Sequence, residues 1–321
     1  VSKGVCVHAP ETLNIDGSVN PGSISAKGVI LHAGCRLSGA DTCISDDVEL
    51  GTEAPVTVDN CWSGPGVQLK GGYFSNAVFL KGASMGSGAH VRGGTILEEG
   101  ASGAHTVGLK QTLLMPFVTL GSLINFCDCF MAGGTSNRDH SEVGSSYIHF
   151  NYTPNQDKAT ASLMGDVPRG VMLRQRPIFL GGLGGLVGPS RIAYGTIIGA
   201  GSIYRKDQLK PDMLVFEGGG RGGKIPFTPG LYRSVKRQVL NNLVYIGNLF
   251  ALRQWYAHVR RAFIGSDLPQ PLWEGLCQTL EKAIGERLKR LEGLRQKMPG
   301  SIEIYKAQAG EGASAQDLEQ K

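Results

Sequence analysis

The chain has 321 residues, 41% of them hydrophobic and only 7% aromatic, with a formal charge of +5. That is enough apolar material for a substantial core, but no run approaches the ~18 uninterrupted apolar residues of a membrane helix, and no basic-then-apolar leader opens the chain. The mild positive excess gathers after residue 168, and the β-helical part lacks a dense Lys/Arg stripe with exposed aromatics, so an anionic small molecule is the expected partner; nucleic acid and membrane are not. The seven cysteines, at 6, 35, 43, 61, 127, 129 and 277, form no Cys-x-x-Cys pair and are odd in number. They read as reduced core thiols of a cytoplasmic protein.

Glycine is the compositional outlier, 47 residues, about twice the ordinary usage of ~7%. No Gly-X-Y period accompanies it, so it is expected at corners. From about residue 13 a loose six-residue beat runs through Leu31 and Leu37, then Ile44 and Leu50. It sharpens between Leu80 and Leu97. Residues 108 to 134 are more apolar and predict fully buried coils, whereas 135 to 162 are a polar interruption expected to include a projecting loop. The beat is cleanest in IAYGTIIGAGSIYRKD, residues 192 to 207, with Ile192, Ile197, Ile198 and Ile203 separated by small residues. This is a hexapeptide signature: each six-residue step lays one strand and one corner, and three steps close a turn of roughly 18 residues. A parallel β-helix over 1–207 follows, on the order of 11 coils and roughly 50 Å long at ~4.8 Å per coil.

A Gly/Pro-rich linker is expected over 208–230. A helical extension follows over 231–299, its first helix presenting Val235, Val239, Leu243, Ile246, Leu249, Leu252 and Tyr256 on one face. The second helix, from about Pro271 to Met298, carries Leu276, Leu280, Ile284, Leu288, Leu291 and Leu294, and Pro299 with Gly300 is expected to stop it. This heptad-like series suits either a cap packed along the prism or a zipper between copies. Residues 300–321 read as a disordered tail.

Three segments carry chemistry. TILEEGASGAH, Thr95 to His105, ends in Gly-Ala-His; HFNYTPNQDKAT, His149 to Thr160, holds an Asn-Tyr pair with Lys158 and Thr160 downstream; IFLGGLGGLVGPSRIAYGTIIGAGSIYRKD carries Arg205 and Lys206 near its end. Together they resemble the acetyltransferase domain of the bifunctional N-acetylglucosamine-1-phosphate uridyltransferase / glucosamine-1-phosphate acetyltransferase family, over residues 92 to 207. The resemblance implies a left-handed hexapeptide-repeat β-helix, homotrimeric assembly with sites between prisms, and acetyl-CoA as cosubstrate. It places His105 as the base and Asn151 as a second catalytic group, with Tyr152, Lys158, Arg191 and Arg205 on the cofactor side. The family's basic residue on the preceding coil falls on Arg92, and its Tyr three residues after the histidine is Gly108 here. His105 and Asn151 stand farther apart than in the family, which implies an inserted coil or more. No Gly-x-Gly-Thr-Arg uridyltransferase signature is present.

The expected function is CoA-dependent acyl transfer to a sugar phosphate or nucleotide sugar. The rival is a non-catalytic β-helix, a scaffold or nucleotide-sugar-binding protein related to UDP-N-acetylglucosamine pyrophosphorylase. His140 and His149 are alternative bases at the ends of the polar loop. No metal is expected: γ-class carbonic anhydrases use this fold with two closely spaced histidines and a third one coil away, and the histidines at 8, 32, 90, 105, 140, 149 and 258 contain no such pair. Cys127 and Cys129 share a strand face as core residues.

Overall fold

The structure is a computed structural model and describes residues 3–169, 174–217, 227–232 and 235–309. Small corner residues and inward aliphatics coil the chain into a parallel β-solenoid. Its first face is an 11-stranded sheet running from Cys6–Val7 to Leu214–Val215, one strand per coil. The second face begins each coil's next side, and the third completes it. Gly108–Leu114 and Asn125–Met131 bend from the second face into the third without a break, fusing those two faces into one 16-stranded sheet.

The bend itself needs a left-handed residue. At the corner between the second and third faces Gly39, Asn60, Asn76, Gly94, Gln111 and Asp128 all have φ between 48° and 88°. Glycine and asparagine enter that region at little cost. Two of the six are neither, and their side chains lie over the neighbouring coil: a Cβ on Gly94 would sit 2.4 Å from the Gln111 amide.

Inside the solenoid the expected aliphatics are joined by Phe74, Phe79, Phe126, Tyr147 and Tyr204. The stretch from 108 to 134 is not buried throughout. On the second face it alternates, with Asn125 exposed and Lys110 half-buried, because solvent covers that face. On the third face both sides are buried, because helices cover it.

The polar stretch from 135 to 162 includes loops, as expected. It holds two coil strands, Glu142–Val143 and Ile148–Phe150, with a tight turn at Ser136 to Asp139 before them and the loop 151–161 after them. His149 points into the solenoid, its Nε2 2.7 Å from Ser162 Oγ. Burial pushes the imidazole down to about 4, so it is neutral at pH 7 and shielded from any substrate.

Two helices, α1 (Lys236–Gln254) and α2 (Gln270–Ala309), pack against each other and along the third face. The outward column Trp62, Val78, Ile96, Leu113, Phe130 and Leu163 meets Leu249, Leu252 and Tyr256 of the first helix and the turn after it, and Leu272, Leu276, Leu280 and Ile284 of the second. The leucine series is therefore used against the chain's own solenoid. Gly275 allows the close approach, since a Cβ there would lie 2.4 Å from the Trp62 ring.

The buried stripe of α1 is rotated from the expected one. Leu243 is 53% exposed, while Asn241, Asn242 and Asn248 are buried. These asparagines satisfy solenoid groups: Asn242 Nδ2 donates to Ala159 O at 2.9 Å, Asn241 Nδ2 to Asp207 Oδ1 at 2.9 Å, and Val167 N donates to Asn248 Oδ1 at 2.7 Å. In α2, Leu288 is exposed and Arg287 buried instead, 2.7 Å from Asp128.

Pro299 does not stop the second helix, which continues to Ala309. Tertiary contact carries it past the missing N–H: Tyr232 N donates to Ser301 Oγ at 2.8 Å, and Gln308 Nε2 to Thr228 Oγ1 at 2.9 Å. The rest of the expected tail, 310–321, and the centre of the expected linker, 218–226, lie outside the described residues.

The turn between the helices is anchored by a buried acid. Tyr256 Oη donates to Glu98 Oε1 at 2.5 Å, and Arg260 pairs with Glu99. Burial raises the Glu98 carboxyl to about 7 despite Arg260 nearby. A folded-state value above the unfolded one means that Glu98 favours the native state at low pH and that this contribution disappears as pH rises through 7. Denaturant midpoints of wild type should accordingly fall relative to Glu98→Gln between pH 5 and pH 8; parallel curves would contradict the assignment. Leu276→Ala should cost about 2–5 kcal/mol in the same assay, while Leu243→Ala should stay within about 0.5 kcal/mol.

Candidate functional site

The outer surface of the second face is built by register. Phe74, Val91, Leu109 and Phe126 point inward on successive coils, so the residues flanking them point out. One outer column therefore reads Tyr73, His90, Gly108, Asn125, and the other Ser75, Arg92, Lys110, Cys127. The Tyr73 and His90 rings stack at 5.2 Å with planes 26° apart. Among the described residues neither Arg92 nor Lys110 forms an ion pair. Burial and the adjacent Asp128 raise the Cys127 thiol, against the pull of Arg92 and Lys110, so it stays protonated and is a poor nucleophile at neutral pH.

His105 lies at the corner entering this face, on the coil of Gly108 and Lys110. It is exposed, with Nδ1 3.3 Å from Thr106 Oγ1, and its carbonyl accepts from Leu123 N at 3.1 Å. Asn151 lies two coils further along and at the opposite corner. Its Nδ2 donates to Asp128 Oδ2 at 3.3 Å and its Oδ1 accepts from Thr160 Oγ1 at 2.9 Å. A face about five residues wide at ~3.3 Å each, and two coil steps of ~4.8 Å, keep the two apart within one chain.

The other residues follow Asn151. Tyr152 is 71% exposed and Lys158 exposed with φ 55°, both on the 151–161 loop. Arg191 and Arg205 lie near the same corner on later coils. Arg191 is half-buried, 3.6 Å from Asp207, which also meets Arg237 and Asn241 of α1. Arg205 Nη1 donates to Ile203 O at 3.0 Å. This corner is thus tied to the helices, while the second face at Arg92 and Lys110 is open.

His90, Lys110 and Asn125 were not singled out by the sequence reading. Their signal is one-coil spacing: Arg92 and Lys110 are one turn apart, and so are His90 and Gly108. Among the described residues no group of three His, Cys, Asp or Glu side chains could hold a metal.

A scan against protein-family models finds no match. Curated proteins do align. The Bifunctional protein GlmU of Nitratidesulfovibrio vulgaris (strain DP4) is 26% identical over 243 residues, covering 71% of this chain and 45% of that protein. The Bifunctional protein GlmU of Thermotoga petrophila is 25% identical over 208 residues, covering 64% of this chain and 41% of that protein. The chain spans less than half the length of these relatives. The alignments and the parallel solenoid agree in showing a hexapeptide-repeat protein similar to the acyltransferase class named from its motifs.

Asp128 joins Asn151 to the second helix through Arg287, and both partners of that pair are buried. Asp128→Ala should therefore cost about 3–5 kcal/mol by stranding the guanidinium, and adding Arg287→Met should recover most of it in urea unfolding.

Proposed function

We propose that this chain transfers an acyl group from acetyl-CoA to a phosphorylated sugar or nucleotide sugar held on the outer second face. The observation that carries the reading is the pair of cations Arg92 and Lys110 on successive coils, neither in an ion pair among the described residues, with Lys110 on the coil that presents His105. Arginine with lysine suits a phosphate, and the nearby Asp128 is already paired with Arg287. His105 takes the proton of the acceptor amine or hydroxyl as it attacks the thioester carbon; the new N–C or O–C bond forms, the C–S bond breaks, and the proton passes to the leaving thiolate. Asn151, Tyr152 and Lys158 line the far corner on the CoA side, with Arg191 and Arg205 beyond them.

Sites between prisms belong to the same reading. The first face exposes Phe179, Ile197 and Leu214 in register, and Leu183 sits at the next corner, a surface suited to a second copy in a homotrimer. No described helix is long and apolar enough to cross a membrane, and the cytoplasm, with its CoA and sugar phosphates, is the compartment this function needs.

The separation of His105 from Asn151 favours a second reading, in which the face binds its anionic ligand without transferring anything. Thiol release from acetyl-CoA in the presence of hexosamine phosphates distinguishes the two. His105→Ala should lower turnover by about 10²–10⁴-fold with an unchanged melting temperature. Turnover unaffected by this change sinks the assignment of the base; absence of turnover in wild type, with ligand-dependent thermal stabilisation retained, establishes the binder.

A further inference from the structure

The stacked column on the second face is interrupted. Tyr73 and His90 lie ring on ring, and the next coil offers Gly108, which has no side chain to continue the stack. Above it stands Asn125. An added Cβ on Gly108 would meet Asn125 Oδ1 at 3.4 Å, an ordinary van der Waals contact, so a group at that level fits with the Asn125 amide bordering it. Two coil steps, about 9.6 Å, separate the His90 and Asn125 positions. Stacked rings sit roughly 4.5–7 Å apart, so the interval takes one planar ring.

What flanks the interval sets the chemistry of that ring. Two residues along the same strands, about 6.7 Å away, are Arg92 and Lys110. Asn125 presents an amide, which pairs with the donor and acceptor edge of a heterocycle. His90 is exposed and stacks on Tyr73 with one face, so by register its other face lies towards the Gly108 coil.

We infer that the gap over Gly108 is a base slot, which takes the planar heterocycle of a nucleotide between His90 and Asn125 while its phosphates reach Arg92 and Lys110. This deepens the anion-site reading above and rests on it. Two nucleotides would supply the chemistry, the uridine half of a nucleotide sugar and the adenine half of CoA.

Calorimetric titration of the full chain with uridine diphosphate, adenosine diphosphate and inorganic pyrophosphate tests it. One of the two nucleotides should bind about tenfold or more tighter than pyrophosphate, and which one does identifies the source. Gly108→Tyr fills the slot with the chain's own ring at a position whose φ is not left-handed, and should abolish the nucleotide advantage while leaving pyrophosphate affinity in place. His90→Ala, at an exposed site, gives the same readout should the tyrosine variant fail to fold. Nucleotides that bind no tighter than pyrophosphate, or an advantage that survives both substitutions, overturn the base slot. Pyrophosphate affinity indifferent to Arg92→Ala with Lys110→Ala overturns the anion site instead, so the two failures are told apart.

Discussion

The parallel hydrogen bonding of successive coils is the constraint on which everything else depends. Because each strand pairs in register with the one below, a side chain acquires neighbours about 4.8 Å above and below it, irrespective of what the intervening residues are. The outward columns on the second face and the corner ladder that ends at Asp128 all follow from that one repeat. So does the spacing between His105 and Asn151: the chain places an entire coil between theirs, and no local adjustment can remove it.

The second determinant is the apolar exterior of the third face. A solenoid whose outer residues were all polar would need no cover. Here Trp62, Val78, Ile96, Leu113, Phe130 and Leu163 turn outward together, and the two helices bury them. The choice of face has a functional consequence. It occupies one side of the prism, leaves the second face open to solvent around Arg92 and Lys110, and ties the Asn151 corner to the helical hairpin through Asp128 and Arg287.

Polar groups then set the fit between the two parts. Apolar burial alone would let the hairpin slide along the face, since leucine meets any neighbouring aliphatic equally well. Asn242 on Ala159 O, Asn241 on Asp207 and Asn248 on Val167 N each have one geometry, and Glu98 with Tyr256 fixes the turn. These contacts also account for the rotated face of α1. A stripe read from hydrophobicity alone favours Val239 and Leu243, but buried asparagines that satisfy solenoid polar groups outweigh leaving Val239 half-buried and Leu243 exposed.

Hexapeptide rhythm, glycine excess and helical periodicity were legible in the chain because they are local: each depends on residues three to six apart. The beat blurred where Phe74, Phe126, Tyr147 and His149 fill the interior in place of aliphatics. His105 and the Asn151 block were visible as motifs, while the company each keeps was not. Arg92 meets Lys110, Tyr73 meets His90 and Asp128 meets Arg287 only through coil register and helix docking, which bring together residues distant in sequence. The sequence by itself thus determined the repeat, the two-part organisation and the candidate residues. Tertiary structure alone decided which of them share a surface, because register between coils and the covered face are properties of the stack and are carried by no single segment.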